Sequence, residues 1–344
     1  MHCDASKHGV GKPGLQTMAS RFAVAIGLVS ALAAACLSPS TALAQAWPSR
    51  PITLVLAYPP GGGTDNVARM LAKFWSEQMG VPVVVDNRGG AGGRIGTQSV
   101  ARAAPDGYTV LFGTGAELTM APATVAKMPY DPERDFDPVT QIGGGPYLLI
   151  ASKSFPPNNV QELVAYEKQN PGKVNYSSGG MYAATHLIGL QFNDRTGINT
   201  LHVPYRGSGP SLVGLMGGEV QYTFNTPSSS LELVQGGKVK ILAVASPTRL
   251  SKLPDVPTIA ESGYPGFAGG SWYGLMVPTG TPAAATERLR AETIKFLNDE
   301  KSRAALEGVY IRPIGSSAEE LKKLISSEIA RYKQLMTKLK LAPE

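Results

Sequence analysis

The sequence predicts two α/β lobes joined by crossover strands, on three observations. The chain has 344 residues, 43% of them hydrophobic, and single cores stop growing at about 250–300 residues. Strand-like and helix-like segments alternate from Pro51 onward, the pattern of parallel sheets with helices on both faces. No Ser/Gly-rich linker separates the units, which favours lobes sharing short crossover strands over independent beads.

Ile52 to Ala57 is a short apolar run ending in Pro and Gly, as expected for a strand buried on both faces. Val67, Met70, Leu71, Phe74 and Trp75 then recur at helical spacing, with Thr64 or Asp65 expected as the cap. Val81 to Val85, a glycine-rich turn, a helix-like stretch from Gly96 to Ala103, and Tyr108 to Phe112 repeat the pattern. A second unit begins near Tyr147 to Ala151. It runs through helix-like Val160–Lys168, strand-like Val174–Ser177 and helix-like Ala183–Phe192. Strands are expected at 199–203, 220–224, 239–245 and 273–277, followed by two helical stretches, the last over 318–341.

The N-terminus predicts export. Arg21 precedes the apolar run Phe22 to Ala35, which is too short for a typical membrane helix, and Ala42-Leu43-Ala44 offers an A-x-A cleavage pattern. Residues 18–44 therefore read as a secretory signal, with Met18 as an alternative start to Met1. A lipoprotein anchored through Cys36 is the competing reading, but Ala33 stands where a lipobox prefers Leu. Cleavage after Ala44 removes both cysteines, Cys3 and Cys36, and with them any disulfide or Cys-based metal site. The formal charge of +6 is scattered; its richest run, from Lys322 to Lys340, follows one helical pattern. That reads as a solvated helix face, since nucleic-acid sites need a patch with base-reading or stacking groups.

The most informative motif is the turn Pro59-Pro60-Gly61-Gly62-Gly63-Thr64-Asp65 after the first strand. Three glycines let backbone approach a ligand without Cβ obstruction, and the turn opens a helix whose free amides and positive dipole end face that ligand. A Rossmann fingerprint fails because Asn66 stands where the third Gly belongs. Tight packing of the turn remains an alternative. Gly89 to Gly93 lacks the ending of a P-loop and reads equally as a ligand loop or a flexible turn. Ser177-Ser178-Gly179-Gly180 ends a strand and precedes a helix, a second candidate anion-holding loop with two hydroxyls. Tyr205 to Gly209 and Asn225 to Ser228 repeat the arrangement, and strand ends are where open α/β sheets bind ligands.

Catalytic constellations are scarce: there is no G-x-S-x-G, H-E-x-x-H or C-x-x-C. The mature histidines, His186 and His202, match no metal spacing; His186 reads as structural or loop-orienting ahead of a catalytic base. Glu117 could meet a ligand ammonium, against the default of a solvated loop carboxylate.

Taken together, Trp47 to Ile52, Tyr58 to Asp65, Asp86 to Gly93, Asp106 to Tyr108, Tyr176 to Gly179, Val203 to Tyr205, Leu253 to Thr258 and Pro278 to Pro282 resemble the substrate-binding receptors of tripartite tricarboxylate transporters, the periplasmic Bug family. The resemblance runs in order along essentially the whole mature chain. It implies a two-lobed type II periplasmic-binding fold, each lobe a mainly parallel sheet flanked by helices, with a ligand cleft between them. The lobes would be 47–145 with 265–344, and 146–264. It implies a periplasmic, monomeric, non-enzymatic receptor without cofactor or metal, handing a small carboxylate to membrane transporter subunits. Dicarboxylates, tricarboxylates, aromatic acids and amino acids all remain open as ligands. The alternatives are an exported enzyme acting on a small organic acid and a ligand-sensing adaptor.

Carried onto this chain, the first ligand loop maps to Gly61, Gly62, Gly63 and Thr64, and the second to Ser177, Ser178 and Gly179. Tyr58, Pro60, Asp65, Thr114, Ala116, Glu117, His186, Tyr205, Gly207 and Asn225 complete the expected ligand-binding set. Asn225 lies where the family often has Asp, and Glu117 where many members have a small or hydroxyl residue; both bear on which ligand is held.

Overall fold

The computed structural model describes residues 47–61 and 63–343, together with the isolated positions Met1 and Gly9. The expected signal segment, both cysteines and Gly62 lie outside the described residues. From Trp47 onward the chain forms one compact unit containing two sheets.

The first sheet has the order β11-β4-β10-β3-β1-β2. Its strands are β1 (Ile52–Leu56), β2 (Val83–Asn87), β3 (Thr109–Thr114), β4 (Phe136–Pro146), β10 (Gly270–Pro278) and β11 (Arg312–Pro313). The second has the order β7-β6-β8-β5-β9, built from β5 (Leu148–Ser152), β6 (Asn175–Ser178), β7 (Leu201–Pro204), β8 (Tyr222–Asn225) and β9 (Val239–Val244). The chain crosses between sheets twice, from β4 directly into β5 and from β9 back to β10. The two-lobed α/β expectation therefore holds.

The sheets are mixed, which corrects the expectation of mainly parallel ones. β1 pairs in parallel with β2 and β3, and β6 with β7 and β8. By contrast, β10 is antiparallel to β3 and β4, and β5 to β8 and β9. Parallel pairs come from βαβ crossovers; the strands that carry the chain between lobes arrive from the other sheet and insert in the opposite sense.

Helices cover both faces. α1 (Gly63–Met79), α2 (Arg94–Ala101) and the short α3 (Ala121–Thr124) belong to the first sheet, the last preceded by a π-helical turn at Ala116–Met120. α4 (Val160–Gln169), α5 (Ala184–Thr196), α6 (Ser208–Gly217) and α7 (Pro227–Gln235) flank the second. α8 (Ala283–Asn298), α9 (Glu300–Gly308) and α10 (Ala318–Lys338) return to the first.

The helical spacing read from 67–75 packs as expected: Val67, Leu71 and Trp75 join Ile52, Leu54, Leu56 and Phe112 in one core. On the other face, Leu321, Ile325 and Ile329 of α10 meet Val55, Leu111 and Trp272. Lys322, Lys323, Arg331, Lys333 and Lys338 point outward, so the basic run is a solvated face. α10 starts in a capping box between Ser317 and Glu320, worth about 1 kcal/mol. No helix among the described residues is long and apolar enough to cross a membrane.

Candidate functional site

Parallel pairing aligns the C-terminal ends of β1, β2 and β3 along one edge of the first sheet, and those of β6, β7 and β8 along one edge of the second. The crossover strands enter at these same edges. Tyr273 of β10 lies opposite Thr114 at the end of β3, and Leu148, just past the crossover, lies opposite Asn225 at the end of β8. The loops predicted to hold ligand thus cluster beside the two crossovers.

In the first lobe the glycine turn is held from below. Asp65 is 3% exposed; its carboxylate accepts hydrogen bonds from the Gly61 amide at 2.9 Å, Arg69 Nε at 2.8 Å and Asn87 Nδ2 at 2.9 Å. Burial opposes the charge, yet these donors hold the Asp65 carboxyl below its ordinary range. Asn87 Nδ2 also lies 3.0 Å from the Tyr58 carbonyl. Two expectations are corrected here. α1 begins at Gly63, so Thr64 and Asp65 sit inside its first turn rather than preceding it. The Gly61 amide is used by Asp65 and is not free for a ligand. Gly61 itself adopts φ +88 with open space where a side chain would go, a conformation that favours glycine. Pro60, Gly61 and Gly63 are exposed, and Tyr58 and Thr64 half-buried.

Behind this turn lies Glu117, fully buried at 0% exposure, which corrects its reading as a solvated loop carboxylate. Tyr58 donates its hydroxyl to Glu117 Oε2 at 2.7 Å, the Thr114 hydroxyl donates to the same oxygen at 2.6 Å, and the Thr114 amide donates to Oε1 at 2.5 Å. Burial pushes the Glu117 carboxyl above its ordinary range while these hydrogen bonds pull it back. The Ala116 amide donates to the Thr114 hydroxyl at 3.2 Å. A Cβ on Gly93 would lie 3.5 Å from Glu117 Oε2, so the second glycine loop closes over the same group.

In the second lobe Ser177 and Ser178 are both 0% exposed. The Ser177 hydroxyl accepts from Ser211 at 2.7 Å. The Ser178 hydroxyl lies 2.6 Å from His202 Nε2 and accepts from the Gly180 amide at 3.1 Å. The Gly179 amide donates to the Thr185 hydroxyl at 3.0 Å. The serine hydroxyls, expected to grip a ligand, are engaged in bracing their own loop. His186 Nδ1 accepts the Tyr182 amide at 2.9 Å, the loop-orienting role expected of it. Its ring stacks on His202 at 3.7 Å. Burial lowers His186 to about 3, with His202 adding to the effect, and burial lowers His202 to about 4.

Gly207 donates its amide to the Gly179 carbonyl at 3.1 Å, which ties that loop to the start of α6, and Tyr205 directs its hydroxyl to Glu219, just past the end of α6, at 2.8 Å. Asn225 is 2% exposed; its Oδ1 accepts from the Thr226 amide and the Ser229 hydroxyl, at 2.9 and 2.8 Å. Its side-chain amide has no protein partner among the described residues.

The helix starts separate into two groups. α2, α5, α6 and α7, which follow β2, β6, β7 and β8, have no side-chain cap at Gly93, Ala183, Gly207 or Thr226. α4, α9 and α10, which do not open from these strand ends, are capped by Asn159, Asp299 and Ser317. α3 after Met120 and α8 after Pro282 are uncapped exceptions. Uncapped first-turn amides and the positive dipole end make ready anion sites.

Unmarked by any sequence motif, Trp272 Nε1 of β10 donates to Glu328 of α10 at 2.9 Å, and Tyr147 is buried in the crossover. The Trp272–Glu328 contact spans a long sequence separation. A groove of about 790 Å³ lies near β11 and includes Arg303, Arg312 and Trp272 in its walls. None of the predicted loop residues lines it. The convergence of strand-end loops, rather than volume, marks the candidate ligand site. Among the described residues no group of His, Cys, Asp or Glu is placed to hold a metal ion.

The family model described as the tripartite tricarboxylate transporter family receptor matches residues 67–341. A UPF0065 protein encoded in the tcbD-tcbE intergenic region of Pseudomonas sp. (strain P51) is 37% identical over 298 residues, 86% of this chain and 88% of that protein. Two solved structures share the fold closely. One is R. palustris Rpa4515 with adipate, at 34% identity and TM-score 0.77, covering 87% of this chain and 100% of that one. The other is the periplasmic binding protein BugD, at 36% identity and TM-score 0.74, with the same coverage.

Proposed function

The chain belongs to the tripartite tricarboxylate transporter receptor family, and on that premise we propose that it is a periplasmic solute receptor. It captures a small carboxylate between its lobes and delivers it, as a monomer, to membrane transporter subunits. Export depends on the signal at 18–44. The observation that carries this reading is the row of uncapped helix starts behind β6, β7 and β8, facing the crossovers together with the free Asn225 amide. Rpa4515, of the same fold, was solved with adipate, a dicarboxylate.

In this reading residues 47–145 with 265–344 move as one body and 146–264 as the other. A ligand bridging both favours the closed state because it gains contacts there that the open state lacks. Each helix start contributes roughly 0.3–2 kcal/mol and each charged hydrogen bond about 1.5–3. After ordering costs, several together suffice for micromolar affinity, near about −8 kcal/mol. Binding rather than catalysis is supported by the occupation of His186, Ser178 and Glu117 within their own loops.

A thermal-shift screen of the processed protein against dicarboxylates, tricarboxylates, aromatic acids and amino acids tests the reading. A true ligand at about 100 times its Kd stabilises by roughly 2.7 kcal/mol. Failure of every carboxylate, or turnover of a bound one, would overturn it.

A further inference from the structure

We propose that Tyr58, Thr114 and Glu117 make the first-lobe wall of the cleft a hydrogen-bond acceptor surface, which selects a ligand carrying a donor group at the end remote from its carboxylate and rejects a second carboxylate there. This deepens the receptor reading above and rests on it.

The argument is one of proton placement. A hydroxyl has a single proton to donate. The Tyr58 proton is directed at Glu117 Oε2 at 2.7 Å and the Thr114 proton at the same oxygen at 2.6 Å, while the Thr114 amide occupies Oε1 at 2.5 Å. Both hydroxyls therefore keep only lone pairs, and one on Thr114 already accepts the Ala116 amide. Tyr58 is the partly exposed member of the set, with Thr114 and Glu117 buried, which makes its phenolic oxygen, as an acceptor, the group assigned to the ligand.

Three donors converging on two oxygens favour an ionised carboxylate, against the burial that pushes this carboxyl up, since a carboxyl proton would compete with one of them. Among the described residues no cation forms a salt bridge with Glu117. Its charge lies under Gly93 and behind Tyr58, and in a buried setting such a charge acts over several ångströms.

A ligand carboxylate is an acceptor only. Against this wall it would meet an oxygen with no proton to give and a buried like charge behind it. An amide, hydroxyl or ammonium supplies the missing donor and completes the chain ligand–Tyr58–Glu117. Sites built to hydrogen-bond one polar group discriminate strongly against an analogue that cannot reciprocate.

The test pairs succinate, glutarate and adipate with their monoamides, which differ only in an amide for one carboxylate, by calorimetry on the processed protein. The monoamide of the fitting length is expected to bind at least about tenfold more tightly than its dicarboxylate. In Glu117→Gln, whose side-chain amide releases a hydroxyl proton toward the cleft, the ratio should move toward the dicarboxylate by about tenfold or more. Tyr58→Phe, which removes the acceptor with little change in shape, should also reduce the monoamide preference and serves if Glu117→Gln does not fold. Tighter dicarboxylate binding by the unaltered protein, or an unchanged ratio in a folded variant, overturns the proposal. So does failure of both series. In that case, another carboxylate that binds leaves the receptor reading standing, and the absence of any removes it as well.

Discussion

His186 and His202 stack with ring centroids 3.7 Å apart and planes inclined by 12°, and between them they hold both ends of one loop. His202 Nε2 sits 2.6 Å from the Ser178 hydroxyl, and His186 Nδ1 takes the Tyr182 amide. A charged His186 could not accept that amide, and two charged rings could not remain stacked. Unfolded histidine titrates near about 6.5, whereas burial lowers these two to about 3 and about 4. Between those limits the unfolded chain binds more protons than the native one, so stability falls as pH falls. The melting temperature is expected to hold above about pH 6.5 and to decline progressively on acidification below it. His186→Phe should flatten that decline while weakening ligand binding at neutral pH. An equal acid slope in the variant would show that the pair is not responsible.

Asp65 anchors the glycine turn through three donors while only 3% exposed. Asp65→Ala takes the acceptor from the Gly61 amide and Arg69 Nε and leaves Asn87 Nδ2 only its bond to the Tyr58 carbonyl, beside a cavity. A loss of at least about 2 kcal/mol in urea unfolding is expected, with a fall in ligand affinity from the loosened turn. Asp65→Asn, which keeps an acceptor oxygen, should lose less of both.

A Cβ on Gly96 would lie 2.6 Å from the Arg88 carbonyl and 2.9 Å from Ala57 Cα. Both are backbone atoms, so neither can swing aside as a side-chain tip would. Gly96→Ala should destabilise by about 1–3 kcal/mol despite the better helix propensity of alanine. A melting temperature equal to or above that of the parent would contradict the close approach of α2 to β1.

Cleavage of an export signal after Ala44 is expected to leave Gln45 as the first residue of a protein without cysteine. Intact-mass measurement of the periplasmic fraction should return that species, with no reaction toward maleimide. A membrane-bound form lipidated at Cys36 would overturn the cleavage assignment.

Much of the fold was legible because burial imposes local periodicity. Ile52 to Ala57 was read as a buried strand, and all but its last residue form β1; the helical spacing of Val67, Leu71 and Trp75 places them on the core face of α1. β4 and β11 went unread: residues 136–146 combine prolines and three consecutive glycines, which suppress a strand signal. They form a strand because β10 pairs along their length, from Gly270 opposite Pro146 to Pro278 opposite Phe136. The mixed sheet sense has the same origin, since strand direction across a crossover depends on which sheet the chain has come from.

The candidate site divides in the same way. Sequence alone singled out the strand-end loops at Tyr58–Asp65, Ser177–Gly180 and Asn225 as candidates, because glycine and hydroxyl residues at strand ends follow local rules of turn geometry. It also singled out Glu117. Only the tertiary structure decided which groups in those loops are free. The Gly61 amide, the two serine hydroxyls and the Glu117 carboxylate are all used internally, whereas the Asn225 amide and the helix starts behind β6, β7 and β8 are not. A hydrogen-bonding group can be recognised from its residue type. Whether its proton or lone pair remains for a ligand depends on neighbours such as Asn87, His202 and Ser211, which only folding brings within reach.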